Sequence, residues 1–278
     1  MTTISALRPG TPAGARPSHV VADAVTMLRR NLLHIVRYPG LTVFVIGAPV
    51  VFLLLFVYVF GGTLGAGLPG VHPGGGREAY VAYVMPGILA MTIAGTGGGA
   101  ATTVAMDMTE GITARFRTMA ISRAAVLAGH VLGNTIQAVI GVAVVLGVGL
   151  LVGFRPTAEP IRWIAAVGMV ALIAFAISWL AVAMGMQAKS VETASNLPMP
   201  LLLLPFLGSG FVPTGSMPVW LQWFAQYQPF TPFVETLRGL LLGTPLGWNP
   251  VLAIGWCVLI STAGYAWSLA IYERKSVR

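Results

Sequence analysis

Side chains that could ionise, ligate or attack are sparse in this chain, and few of them lie in its apolar stretches. His130, Asn134 and Gln137, with Gly141, stand at i, i+4, i+7 and i+11, so they share one face of a helix in an otherwise apolar run. Two readings fit that stripe: hydrogen bonds between neighbouring helices, or a polar lining along the route of an amphipathic molecule. No Ser/His/Asp set and no pair of carboxylates falls inside the apolar runs, so hydrolysis within them is disfavoured and no catalytic residue is assigned. Cys257 is the single cysteine, with no disulfide partner and no cluster of metal ligands beside it, which argues against redox and metal chemistry. The string Ala183-Met184-Gly185-Met186-Gln187-Ala188-Lys189-Ser190 has alanine at both glycine positions of a phosphate-binding loop, so it makes no phosphate cradle.

The elements that must hold these residues are set by composition. Of 278 residues, 56% are hydrophobic and only 9% are charged, against roughly 25% charged in a soluble domain. Too few charges remain to cover a water-facing surface, and the chain reads as an all-α polytopic membrane protein. A helix needs about 20 mainly apolar residues to cross the hydrocarbon core. Six stretches qualify, at 41–60, 80–106, 129–152, 163–187, 197–212 and 250–271, and none contains Asp, Glu, Lys or Arg. The fifth is short and interrupted by Pro198, Pro200 and Pro205, which predicts a tilted or kinked segment, or one extended upstream through Ser195 and Asn196.

Net charge is +8, yet the basic residues flank apolar runs rather than gathering on one soluble face, so nucleic acid is set aside as a partner. With the N-terminus inside, twelve of the sixteen Lys and Arg residues fall in cytoplasmic segments, which places both termini in the cytoplasm. Residues 1–18, rich in Pro, Gly, Ala and Ser, read as a disordered tail without the apolar core of a signal peptide. Arg29-Arg30 followed by Leu32-Leu33 is a weak match to a twin-arginine export signal, but the following run is long enough to stay in the bilayer. Over 19–40, Val21, Val25, Leu28, Leu32 and Ile35 recur at helical spacing, which predicts an amphipathic helix lying in the cytoplasmic interface. The six-span domain then covers 41–272 and a short cytoplasmic tail covers 273–278.

Two further segments stand out. Gly95 and Gly99 form a small-xxx-small pair that would let another backbone approach closely, in the same chain or a second one. Residues 213–249 are too long and apolar for a simple loop. Pro218 can open a helix carrying Trp220, Trp223, Phe224 and Tyr227, a composition suited to the membrane interface. A second helix from Pro232 to Leu242 would place Glu235 and Arg238 at i, i+3 for an ion pair. One or two re-entrant or interface-lying extracellular helices are therefore expected between spans five and six. Their candidate role, beyond packing, is an outer gate formed by Phe230, Phe233, Glu235 and Arg238.

The connection MDMTEGITARFRTMAISRAAVLAG, 106–129, carries Asp107, Glu110 and three arginines between two apolar runs. Ile112, Phe116 and Met119 fall at i, i+4 and i+7 with charged and hydroxyl residues mainly elsewhere, which predicts a short amphipathic helix with one docking face. Together with Tyr83-Val84-Met85-Pro86-Gly87-Ile88-Leu89, Gly210-Phe211-Val212-Pro213, Met217-Pro218-Val219-Trp220-Leu221 and the run Pro229 to Gly243, this stretch resembles the permease subunits of type-two ABC exporters. The similarity spans about residues 30–272 and looks closest to the daunorubicin-resistance branch; Ala120 departs from the proline expected before Ile-Ser-Arg.

That resemblance implies a permease that pairs with a second permease, identical or homologous, and with two ABC ATP-binding subunits in the cytoplasmic membrane. The segment Glu110–Met119 would then be the coupling helix, with Glu110, Gly111, Arg115, Phe116 and Arg117 touching the ATPase. ATP and Mg would sit on that partner and no cofactor on this chain, which is not itself an enzyme. The cargo would be a hydrophobic or amphipathic drug, antibiotic or lipid, moving past His130, Asn134 and Gln137. An ion- or proton-coupled carrier is the competing class, and a non-transporting immunity or scaffold protein a third.

Overall fold

The computed structural model describes residues 39–66, 76–109 and 123–276. The expected tail, the interfacial helix up to residue 38, and the 110–122 connection with its five proposed ATPase contacts lie outside them. All secondary structure among the described residues is helical. Pro39–Leu55 forms α1, which runs through a π-helical turn at Phe56–Phe60 into α2, Gly61–Ala66. Then follow α3 (Gly76–Thr109), α4 (Arg123–Val152), α5 (Pro160–Gln187), α6 (Val191–Asn196), α7 (Met199–Leu203), α8 (Val219–Tyr227), α9 (Phe230–Leu242) and α10 (Asn249–Ser276).

Among the described residues, five helical stretches are long and apolar enough to cross a membrane: 45–63, 76–109, 127–152, 160–187 and 249–271. The 197–212 stretch, expected as another crossing, is no continuous helix. It begins upstream in α6, passes through α7 and continues as turns to Phe211. The prolines explain the break, since each removes an amide donor and pushes on the preceding turn. Ser190, the last residue of the string that resembles a phosphate loop, caps α6 instead, its Oγ accepting from the Thr193 amide at 3.2 Å.

At the centre of the bundle lies α3, of which 78% of the most apolar window is buried, against 22% for the 45–63 stretch and for α10. Small residues permit this. Gly87 lies so close to Gly210 that an added Cβ would fall 2.4 Å from its carbonyl oxygen, and Gly97 packs on Ile177 and Ala181 of α5. From the other side, Gly185 of α5 meets the backbone of Ala101 equally tightly. Gly95 and Gly99 are only partly buried: Gly95 meets the Leu202 side chain, and nothing lies within 4 Å of a Cβ placed on Gly99.

Around α3 the core joins Leu53 and Val57, Val84, Met85, Ile88 and Leu89, and Ile173 and Ile177 to Phe230, Phe233 and Leu237 of α9. A second apolar cluster, at the far end of α3, unites Val104 and Leu127, Val131, Trp179, Val182, Met186 and Ile271. Large apolar side chains elsewhere, such as Leu151, Ile161, Ile164 and Leu259, point outward from the chain. In lipid such exposure carries no hydrophobic cost.

Candidate functional site

Polar side chains concentrate at the two ends of α3. At its N-terminal end α3 meets the 204–213 turns and α9. Turns strung on prolines leave carbonyl groups outside any helical ladder, and away from water each needs a donor. Gln228, buried between α8 and α9, donates to the Leu204 carbonyl at 3.0 Å, and its own Oε1 accepts from the Phe230 amide at 3.3 Å. Thr231 donates to the Ala225 carbonyl and accepts from the Ser209 amide at 3.3 Å.

Arg238 completes this knot. Its guanidinium pairs with Glu235 one helical turn back and donates to the carbonyls of Tyr83 at 3.0 Å and Ser209 at 2.8 Å, over the face of the Tyr83 ring. The Tyr83 hydroxyl donates to the same Ser209 oxygen at 3.1 Å. Two neighbouring contacts anchor α9 to α5 and its approach: Thr157 donates to the Leu242 carbonyl at 2.6 Å, and Arg162 reaches the Gly239 and Thr244 carbonyls. Beside Arg238 opens a cleft of about 610 Å³, lined by Tyr83, Ser209, Thr214, Glu235, Arg238 and Thr244 among others.

The four residues proposed for an outer gate thus divide. Glu235 and Arg238 line the cleft, whereas Phe230 and Phe233 are packed edge to face in the core, ring centroids 5.7 Å apart. Helix α9 begins at Phe230, two residues before the expected start, and ends at Gly243, which holds φ at +70° as a C-terminal cap. Helix α8 begins after Pro218 and exposes Val219, Trp220, Trp223 and Tyr227 on one side while burying Ala225.

At the C-terminal end of α3 the stripe on α4 finds its partners. His130 lies 3.2 Å from Asp107, both largely buried, and the Asn134 amide donates to Ser178 Oγ of α5 at 2.8 Å. Gln137 is half-buried, and Gly141 packs on Thr92 and Ile46. The structure therefore seats His130 and Asn134 in contacts between helices. A separate, wholly apolar cavity of about 90 Å³ lies among α3, α4, α5 and α9, lined by Leu89, Val142, Leu146, Trp163, Val170 and Leu237 among others. Among the described residues no group of His, Cys, Asp and Glu could hold a metal ion.

The sequence does not single out Ser209 or Gln228, and it marks Tyr83 and Asp107 only as members of motifs, without their contacts. Asp107 had a signal: it stands inside the motif Asp107-Met108-Thr109-Glu110, but was grouped with the connection although α3 runs on to Thr109. Ser209 and Gln228 had none: Ser209 acts through its backbone carbonyl, which accepts from Arg238 and Tyr83, and Gln228 through the Leu204 carbonyl, and only the folded turns bring these groups together.

Among the described residues, an all-helical bundle with five helices of spanning length and an apolar interior has the architecture of a multi-pass membrane protein. Residues 23–242 match the ABC-2 type transporter family model, and the chain belongs to that family. It is 28% identical over 251 residues to the daunorubicin resistance ABC transporter permease protein DrrB1 of Streptomyces coeruleorubidus, covering 89% of this chain and 86% of that one. It is 27% identical over 251 residues to the probable doxorubicin resistance ABC transporter permease protein DrrC of Mycobacterium tuberculosis, covering 87% and 83%.

Proposed function

We propose that this chain is the membrane permease of an ATP-driven exporter that moves a hydrophobic or amphipathic drug-like molecule out of the cytoplasm or the inner leaflet. Membership of the ABC-2 type transporter family across 23–242 carries the reading, and the similarity to two drug-resistance permeases supports the cargo class. ATP hydrolysis belongs to a separate subunit, two copies of which serve this permease and a second one, identical or homologous. In this reading both termini and the 110–122 connection are cytoplasmic. Glu110, Gly111, Arg115, Phe116 and Arg117 meet the ATPase, with Phe116 as apolar anchor and the charges setting orientation. The broken stretch through α6, α7 and the 204–212 turns makes the sixth crossing. Helices α8 and α9 then lie at the outer surface as interfacial or re-entrant elements, and Glu235 and Arg238 border the outer exit.

The test is reconstitution of this permease with an ABC ATP-binding subunit that assembles with it, followed by daunorubicin uptake into inverted vesicles. Uptake should require ATP and survive collapse of the proton gradient. Phe116→Asp should abolish uptake and cargo-linked ATP turnover while the protein still inserts; undiminished uptake would remove Phe116 from the docking role. A proton-coupled carrier is the second reading, and the Asp107–His130 pair is the observation in its favour. Uptake that follows the proton gradient without ATP would establish it.

A further inference from the structure

The 110–122 connection is joined covalently to α3 after Thr109 and to α4 at Arg123, so those two helix ends are its covalent link to the membrane domain. Two helices joined only by a connection of this length could respond separately. Here they are fastened just inside its base: Asp107, two residues before α3 ends, pairs with His130, in the third turn of α4, at 3.2 Å. The pair is shielded, with side chains 13% and 8% exposed, so water screens it weakly. Around it Val104, Leu127 and Val131 pack with Trp179, Val182 and Met186 of α5 and Ile271 of α10. One turn beyond His130, Asn134 bonds Ser178, and Gly185 brings α5 into backbone contact with α3.

We infer that Asp107 and His130 are positioning residues that bind α3 and α4 into one lever, so that movement of the 110–122 connection is delivered to the helix pair and, through Asn134 and Ser178, to α5. This rests on the ATP-driven reading above, with Asp107 and His130 acting through the helices rather than on cargo or nucleotide. Apolar packing alone would hold the helices together equally well in a resting protein. What a carboxylate–imidazole contact adds is resistance to sliding and rotation, because its geometry is directional where methyl contacts are not.

The test uses the complete complex of permease and ATP-binding subunit. Asp107→Ala, His130→Ala and the reciprocal exchange Asp107→His with His130→Asp are compared for assembly with the ATPase, ATP hydrolysis, ATP-dependent daunorubicin uptake, and hydrogen exchange of segments 98–109 and 123–137 with and without ATP. Each single variant should assemble and hydrolyse ATP within about twofold of wild type, yet take up at least tenfold less daunorubicin per ATP. Its two segments should cease to respond to ATP together. The exchange should recover at least a third of the wild-type uptake per ATP and restore the joint response. Single variants with wild-type uptake and a joint response would overturn the lever, as would losses that only track the amount of assembled complex, or an exchange no better than either single variant. Should daunorubicin not be moved by the wild type, the exchange response still decides. A wild-type complex with no ATP response of any kind would instead overturn the transporter reading, and the lever with it.

Discussion

The guanidinium carbon of Arg238 lies 4.0 Å from the centre of the Tyr83 ring, and its Nη2 donates to the Tyr83 carbonyl and to the Ser209 carbonyl. One side chain thereby joins α3, the 204–213 turns and α9. A planar fork can reach two carbonyls, a carboxylate and a ring face at once, where an ammonium cannot. Arg238→Ala should therefore lower stability by about 2–3 kcal/mol, the cost of leaving such acceptors unmet, and Arg238→Lys should recover less than half of that. Glu235, 31% exposed, should matter less: Glu235→Gln should cost no more than about 1 kcal/mol. Thermal unfolding of the three variants in one detergent checks the order, and equal losses at both positions would show that the carbonyl contacts contribute little.

How much of this was legible beforehand follows from the range of each interaction. Spacing along one helix is written in the chain: the stripe from His130 to Gly141 does share a helix, and Glu235 and Arg238 do pair at i, i+3. Apolar length likewise located the helices of spanning length. What periodicity could not give was which residues meet from afar. Arg238 and Tyr83 are 155 positions apart and Asn134 and Ser178 are 44 apart. The contact of Asp107 was missed because the end of the apolar run is not the end of the helix: α3 continues three residues past Met106. The 197–212 stretch had the hydropathy of a span, and its prolines announced a disturbance, but whether three prolines kink a helix or dissolve it depends on donors such as Gln228 supplied from elsewhere.

Glycines on α3 give a sharper forecast than the small-residue pattern alone. A Cβ on Gly87 would fall 2.4 Å from the Gly210 carbonyl oxygen, and backbone cannot swing aside as a side chain can. Gly87→Ala should cost about 1–3 kcal/mol through that clash. Gly99→Ala meets nothing within 4 Å and should be neutral or gain up to about 1 kcal/mol from helix propensity. Unfolding midpoints of the two variants are the measurement, and a Gly87→Ala protein as stable as wild type would show that α3 and the turns can part without cost.

Asn134 tests whether the α4 stripe is adhesive. Its amide donates to Ser178 Oγ, which in turn donates to the Ala174 carbonyl at 2.6 Å. Inter-helical bonds of this kind contribute about 0.6 kcal/mol on average and about 1.7 at most. A double-mutant cycle of Asn134→Ala and Ser178→Ala should return a coupling energy in that interval. Additive losses would mean that the two side chains lie together without stabilising the α4–α5 contact, and would return Asn134 to the cargo route.

Helix α8 exposes Trp220 at 75%, Trp223 at 67% and Tyr227 at 64% along one side, while Ala225 on the other is fully buried. Aromatic rings with a polar edge settle at the level of lipid headgroups, where the ring is shielded and the edge stays wet. The chain has one cysteine, Cys257, which is buried, so a Cys257→Ala background permits spin labels at single sites. Labels at 220, 223 and 227 should show intermediate collision with both oxygen and a water-soluble nickel chelate, placing all three at one depth near the headgroups. A label at 225 should be shielded from both. High nickel contact with little oxygen contact at the three aromatic positions would mean that α8 stands clear of the bilayer, and would remove the interfacial anchor from the outer end of the bundle.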